Sequence, residues 1–310
     1  MTKKTFYPGF LLFIAVLFFI SCEKSNDAPE YPGLDAYLTS AGNLTIFKAA
    51  IEKAQLQSFI EGKGPYTWIA PTDAAFQTAL ITMDSLNRMT TGQVSYLAMY
   101  HLINAAVTTS DMVGQNSFPK ATQLSSTANV YIGQLNNSFY VNGGTLASTD
   151  NYVSNGVVHI SNRLNIPPNL KGNIQGILNT TGQHSLFIAA LTRANRWAVL
   201  GTTSVFTVFA PTDAAMTAAG YTVASIGTAT MGAMDSLVRY HMISGTRLFT
   251  NDIGNKTLPG TFLGTTFTLT GSSNGTKIKG KTNAAAFDIN KPDFLGTNGV
   301  VHTINGVLKF

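Results

Sequence analysis

The chain repeats itself, and that limits its possible folds more than any other feature. Residues 34–103 align without a gap to residues 174–243, an offset of 140 positions. Phe47 meets Phe187, Ala49-Ala50 meets Ala189-Ala190, and Ala70-Pro71-Thr72-Asp73-Ala74-Ala75 meets Ala210-Pro211-Thr212-Asp213-Ala214-Ala215. Tyr100-His101 then meets Tyr240-His241. Farther on the offset is 143, where Asn155-Gly156-Val157-Val158-His159 returns as Asn298-Gly299-Val300-Val301-His302. The length changes between these blocks belong in surface loops and hairpins. A period near 140 is much longer than a solenoid unit and matches a whole domain. The sequence therefore predicts a duplicated fold with two cores, which 310 residues can fill. The junction is expected near Ile166-Pro167-Pro168-Asn169, where the prolines would end the last strand of the first copy. This gives one domain over 33–167 and another over 168–310, joined by a short linker that restricts their relative orientation.

The order of elements within each copy can be read from periodicity. Leu44, Phe47, Ile51 and Ala54 fall at helical spacing, as do Leu186, Ala190 and Leu191. Short β-rich apolar runs follow at Tyr66 to Ala70 and Phe206 to Ala210, each stopped by proline. Thr72 and Thr212 are placed to cap the next helices, with Asp73 and Asp213 in the first turn, where the helix dipole favours negative charge. Helices are expected around Val94 to Ile103 and Ala233 to Ile243, carrying the Tyr-His pairs. The remainder reads as short strands broken by turns such as Asn136-Asn137 and Asn142-Gly143-Gly144. Helices first and strands second make an α+β domain.

Only 11% of residues are charged, against about 25% in an average soluble domain. Thr, Ser, Asn and Gly take their place, a mixture suited to turn-rich extracellular β structure. The net charge of +5 falls by two if Lys3 and Lys4 are removed, too small a field for nucleic-acid binding. Such removal is expected, because Lys3-Lys4 and the apolar run Phe10 to Ile20 have the form of an export signal over residues 1–21. The single cysteine, Cys22, follows Ser21 directly and has no disulfide partner within the chain. This junction resembles a bacterial lipobox, in which the cysteine is lipidated and becomes the first residue of the mature chain. Phe19 departs from the aliphatic residue usual in that motif. Residues 22–32 are polar and contain proline, and read as a tether from lipid to first domain. Glu23-Lys24-Ser25-Asn26-Asp27 resembles the surface-export signals of some Gram-negative lipoproteins. The resulting expectation is an exported protein, lipid-anchored to the bacterial outer membrane and exposed at the surface.

Three motifs in a fixed order resemble the fasciclin domain. They are the block Tyr66-Thr67-Trp68-Ile69-Ala70-Pro71-Thr72-Asp73, the pair Tyr100-His101, and the closing run from Asn155 to His159. The second copy has all three, in Phe206 to Asp213 with Pro211 and Thr212, in Tyr240-His241, and in Asn298 to His302. The resemblance covers nearly all of residues 34–310. It implies two tandem fasciclin-like domains, each a wedge of short β-strands with several helices, used in extracellular adhesion and surface association. No reaction is implied.

The residues that could carry chemistry also have structural readings. His101, His159, His241 and His302 recur in pairs, but no third ligand repeats at useful spacing, so no metal is expected and buried polar groups explain them better. A duplicated active site should repeat all its members. Ser85 is matched by Ser225, but Asp84 is answered by Ala224. No nucleophile elbow, P-loop or dinucleotide fingerprint accompanies a strand and helix, so neither a cofactor nor an enzyme is expected. Trp68 aligns with Val208 and Trp197 with Gln57, which leaves a repeated sugar-stacking platform unsupported. Lys277, Lys279 and Lys281 alternate as on one strand face and read as an edge strand protected by charge; the alternative reading is contact with an anionic polymer or membrane face.

Animal matrix members of the family carry Pro-Asp or Lys-Asp motifs just before the closing strand, linked to receptor adhesion. Lys291-Pro292-Asp293-Phe294 occupies that place here, and Asp150 stands at the same distance before Asn155. Asp150, Pro292, Asp293 and Phe294 are therefore candidate contact residues, with a structural turn as the alternative. The expected partners are the membrane, through the N-terminal lipid, and a protein or glycan at the cell surface. The leading reading is a surface adhesion or binding module. The competing one is an accessory lipoprotein docked on an outer-membrane nutrient-uptake or other surface complex.

Overall fold

The computed structural model describes residues 30–253, 256–258, 260–272 and 275–310. The export signal, Cys22 and the tether up to residue 29 lie outside the described residues. Each copy opens on helices and ends on strands. The first holds α1 (Leu34–Ser40), α2 (Thr45–Lys53), α3 (Gln57–Ile60), β1 (Tyr66–Pro71), α4 (Asp73–Thr78), α5 (Met83–Arg88), α6 (Thr91–Met99) and β2 (Leu102–Ile103). It continues through α7 (Thr109–Met112), β3 (Phe118–Thr122), β4 (Ser125–Leu135), β5 (Ser138–Val141), β6 (Gly144–Val153) and β7 (Gly156–Ser161). The second holds α8 (Pro168–Lys171), α9 (Ile174–Thr181), α10 (Ser185–Arg193), β8 (Phe206–Pro211), α11 (Asp213–Ala218), α12 (Val223–Thr228), α13 (Met231–Tyr240) and β9 (Met242–Ser244). Its strands are β10 (Lys256–Leu258), β11 (Phe267–Ser272), β12 (Gly275–Gly280), β13 (Phe287–Gly296) and β14 (Gly299–Ile304).

The two sheets share one topology. Their orders are β2-β1-β7-β6-β5-β4-β3 and β10-β11-β12-β13-β14-β8-β9. In each, the first strand of the domain pairs in parallel with the closing strand, Tyr66 opposite Gly156 and Phe206 opposite Gly299. All other strand pairs are antiparallel. Alternate side chains of the central strand point to opposite faces. Trp68 and Ala70 enter the core beneath the helices, with Phe47, Ile51, Phe76 and Leu97. Ile69 enters a second core against the meander, with Tyr100, Val130 and Ile132. Val208 and Ala210 repeat the first arrangement and Phe209 the second. Burial on both faces explains why these strands are continuous apolar runs rather than alternating ones.

Several sequence expectations need correction. The Tyr-His helices stop earlier than expected, α6 at Met99 and α13 at Tyr240. Leu102 and Ile103 turn instead into a two-residue strand paired with Trp68 and Thr67. The closing strand of the first copy ends at Ser161, so Pro167-Pro168 does not terminate it and Pro168 begins α8. The lysine ladder is not on an edge, since β12 lies between β11 and β13. Lys277 there forms an ion pair with Asp288 on β13, and Lys281 falls in the turn after the strand.

Candidate functional site

The parallel pairing of first and last strands brings all three repeated motifs together. Asn155 stands at the entrance to β7, where its Nδ2 donates to the carbonyls of Phe59, Ile60 and Gly62 at 2.9–3.0 Å. Asn298 does the same for Leu200 and Thr202, and its Oδ1 accepts from the Ile174 amide at 2.9 Å. Gly156 and Gly299 follow because the opposing backbone is too near for a side chain. A Cβ at either position would lie 1.9 Å from the carbonyl oxygen of Tyr66 or Phe206.

The histidines hold backbone rather than substrate. His101 Nδ1–H donates to Leu97 O at 3.0 Å and its Nε2 accepts from the Asn165 amide at 3.1 Å. His241 repeats this with Leu237 O and the Leu308 amide, at 2.8 and 2.9 Å. Both rings are fully buried, which pushes their pKa down to about 4 against a smaller upward pull from the carbonyl. His159 and His302 use the other tautomer, donating from Nε2 to Val107 O and Leu248 O and accepting at Nδ1 from the Asp150 and Asp293 amides. Burial lowers their pKa as well. Tyr100 and Tyr240 reach the meander, donating to Asn129 O and Thr266 O at 2.7 Å.

Thr72 and Thr212 cap α4 and α11, accepting from Ala75 and Ala215 amides at 3.1 Å. Asp73 does lie in the first turn of α4, but its carboxylate serves a different helix. It accepts from the Ile46 amide at 2.8 Å and the Thr45 hydroxyl at 2.7 Å, at the start of α2. Asp213 grips Leu186 and Ser185 of α10 in the same way. Pro71 and Pro211 end the central strands opposite Ser161 and Ile304.

The four candidate contact residues do not form a free surface patch. Asp293 is only 3% exposed. Its carboxylate accepts from the amide and hydroxyl of Thr250, each at 2.7 Å, and from Arg163 of the first copy at 3.2 Å. Arg163 also donates to the carbonyls of Pro292 and Asp293, at 3.0 and 2.9 Å. Phe294 is half-buried, with the Lys171 ammonium 4.5 Å from its ring centre. Asp150 makes the equivalent intradomain grip on Thr109, through both the amide and the hydroxyl. In the second copy the motif is thus a joint between domains. Ser117 donating to Asp252 and Tyr131 packed 5.5 Å from Phe249 extend that joint.

Sequence reasoning missed Arg163, because it has no repeated partner: Gly306 holds its place in the second copy. It also missed Thr67 and Thr207, whose hydroxyls each bridge a carbonyl and an amide of the loop after the second strand. A threonine recurring inside an otherwise apolar strand was the available signal. Trp68 is buried in the core and Trp197 packs half-buried beside the core of the second domain. Among the described residues no three His, Cys, Asp or Glu side chains stand together as metal ligands, and no helix is long and apolar enough to cross a membrane.

Comparison with known proteins agrees with this architecture. The Fasciclin domain model matches residues 42–167 and again 182–310. Transforming growth factor-beta-induced protein ig-h3 of Sus scrofa is 25% identical over 300 residues, covering 89% of this chain and 39% of the relative. Periostin of Homo sapiens is 26% identical over 271 residues, covering 83% of this chain and 30% of the relative. The chain thus spans two fifths or less of these relatives' length. A solved FAS1 domain pair from the insect cell adhesion molecule Fasciclin I is 19% identical, covering 87% of this chain and 98% of that one at a TM-score of 0.42. With a family model matched twice over most of its length and one topology built twice, this chain belongs to the fasciclin domain family.

Proposed function

We propose that this protein is a non-catalytic binding and adhesion module held on the bacterial outer membrane by lipid on Cys22. In this reading residues 1–21 are removed as a signal peptide and residues 22–32 form a tether. The domains over 33–167 and 168–310 then present their outer surfaces to a protein or glycan at the cell surface. One observation carries the absence of catalysis. The motif histidines and aspartates all make hydrogen bonds within the fold, several of them to backbone, and among the described residues they do not converge as a reactive set. Membership of the fasciclin family supports the adhesive role.

The test compares the chain with Cys22→Ala in a Gram-negative host. The expected outcome is acyl labelling and protease access on intact cells for the parent, both lost in the variant, with cell adhesion to surface glycan or matrix protein lost alongside. Unchanged membrane retention of Cys22→Ala would refute the anchor. Adhesion equal in cells lacking the protein would refute the module. Stoichiometric co-purification with an outer-membrane transporter would favour the accessory-subunit role instead.

A further inference from the structure

The domain junction holds an open cleft of about 750 Å³, within the size range of small-ligand sites. Its walls come from both domains. The first supplies Leu80, Arg163, Asn165 and Ile166, and Lys171, Lys291 and Phe294 come from beyond the proline junction. We propose that this cleft binds an acidic saccharide, a hydroxylated ring carrying carboxylate or sulfate. The inference deepens the binding role proposed above and rests on it.

The cleft is positively charged. Three cations line the cleft, and the one carboxylate there, Asp293, is already saturated by Thr250 and Arg163. Lys171 is half-buried and its ammonium lies over the face of Phe294. Burial and the neighbouring Arg163 both depress the pKa of its ammonium, a strain that an incoming anion would relieve.

The duplication allows the two copies to be compared at the cleft. Asn165 is 3% exposed, and neither its side-chain oxygen nor its nitrogen has a partner. An unpaired buried amide costs about 1–3 kcal/mol. The fold does not require it, because the same backbone position in the second copy, also bonded through its amide to the motif histidine, is Leu308. Leu80 departs in the opposite sense. It is 86% exposed and has a φ of +60°, a left-handed conformation unfavourable to a leucine. The second copy has Gly220 there, with a φ of +88°.

An unneeded buried amide and a strained exposed leucine thus occur in one copy only, and both line the cleft. A sugar acid matches this pairing. Its hydroxyls can reach Asn162 and Asn290, its C–H face can lie on Leu80 and Ile166, and its anion can meet Lys171 and Lys291. The Asn165 amide, closed to solvent in this conformation, can pair with a hydroxyl once its side chain turns into the cleft. An alkyl carboxylate would suit the leucine and lysines but would leave the amide unpaired.

Calorimetric titration of the full chain with a galacturonate trimer, a sulfated galactose trimer, a neutral galactose trimer and decanoate tests the proposal. One or both acidic trimers should bind at least tenfold more tightly than the neutral one, and which of the two binds identifies the anion. Lys171→Gln and Lys291→Gln should each weaken that binding about tenfold. Asn165→Leu should weaken it without lowering the Tm, since the second copy folds with leucine there. Equal affinity for neutral and acidic trimers, preference for decanoate, no binding to any trimer, or variants without effect would overturn the inference. Adhesion dependent on the protein but unaffected by the three variants would overturn it while leaving the wider function intact.

Discussion

His101 and His241 show how a polar side chain can be wholly structural. Each closes a hydrogen-bonded bridge between its own helix and a segment about 65 residues later, and does so only while neutral. In the folded protein their pKa is about 4, against 6.5 when unfolded. Below pH 6.5 the unfolded chain therefore binds more protons than the native one. The stabilisation is complete above pH 6.5 and is lost as pH falls toward 4, by at most about 1.4 kcal/mol per pH unit for each ring. His159 and His302 act in the same direction. Urea midpoints should be level from pH 7.5 to about 6.5 and fall from there to pH 4.5, and a profile flat throughout would contradict the assignment. The repetition of these histidines was legible in the sequence. Their partners were not, because carbonyls and amides have no residue signature.

At the scale of elements, α2 and α10 start without a capping side chain of their own, at Leu44 and His184. Asp73 and Asp213 supply the missing acceptors from the next helix but one and the next helix. Asp73→Ala is expected to lower stability by about 1–2 kcal/mol, with Asp213→Ala similar and Asp73→Asn milder because it keeps one acceptor. Chemical denaturation of the three variants checks the order. The cap positions Thr72 and Thr212 were readable because proline, threonine and acid follow an apolar run. The end of α6 was not, since Leu102 and Ile103 continue helical periodicity while belonging to a strand, an ambiguity inherent in short apolar runs. Strand order was equally hidden. The Lys277 strand has neighbours on both sides, and no local pattern announces the second one.

At the scale of the whole molecule, the duplication was legible and the joint was not, because self-comparison cannot detect what occurs once. Arg163 fastens the copies through three acceptors on β13. Arg163→Ala should cost on the order of 2 kcal/mol, about the worth of one hydrogen bond to a charged group rather than of three, because the guanidinium is partly exposed and Asp293 retains Thr250. Hydrogen exchange should show faster exchange at the Thr250 and Asp293 amides, with β1 protection unchanged. Equal loss throughout both domains would mean that Arg163 supports more than the joint.

The pairing of each domain's earliest and latest strands also orders events during synthesis. Tyr66 must wait for Gly156 and Phe206 for Gly299, so neither sheet can be completed from its middle outward as the chain emerges. Contacts of such long sequence separation slow folding. A chain halted short of Gly156 would leave one side of β1 without its hydrogen-bonding neighbour, an open template for pairing with other chains.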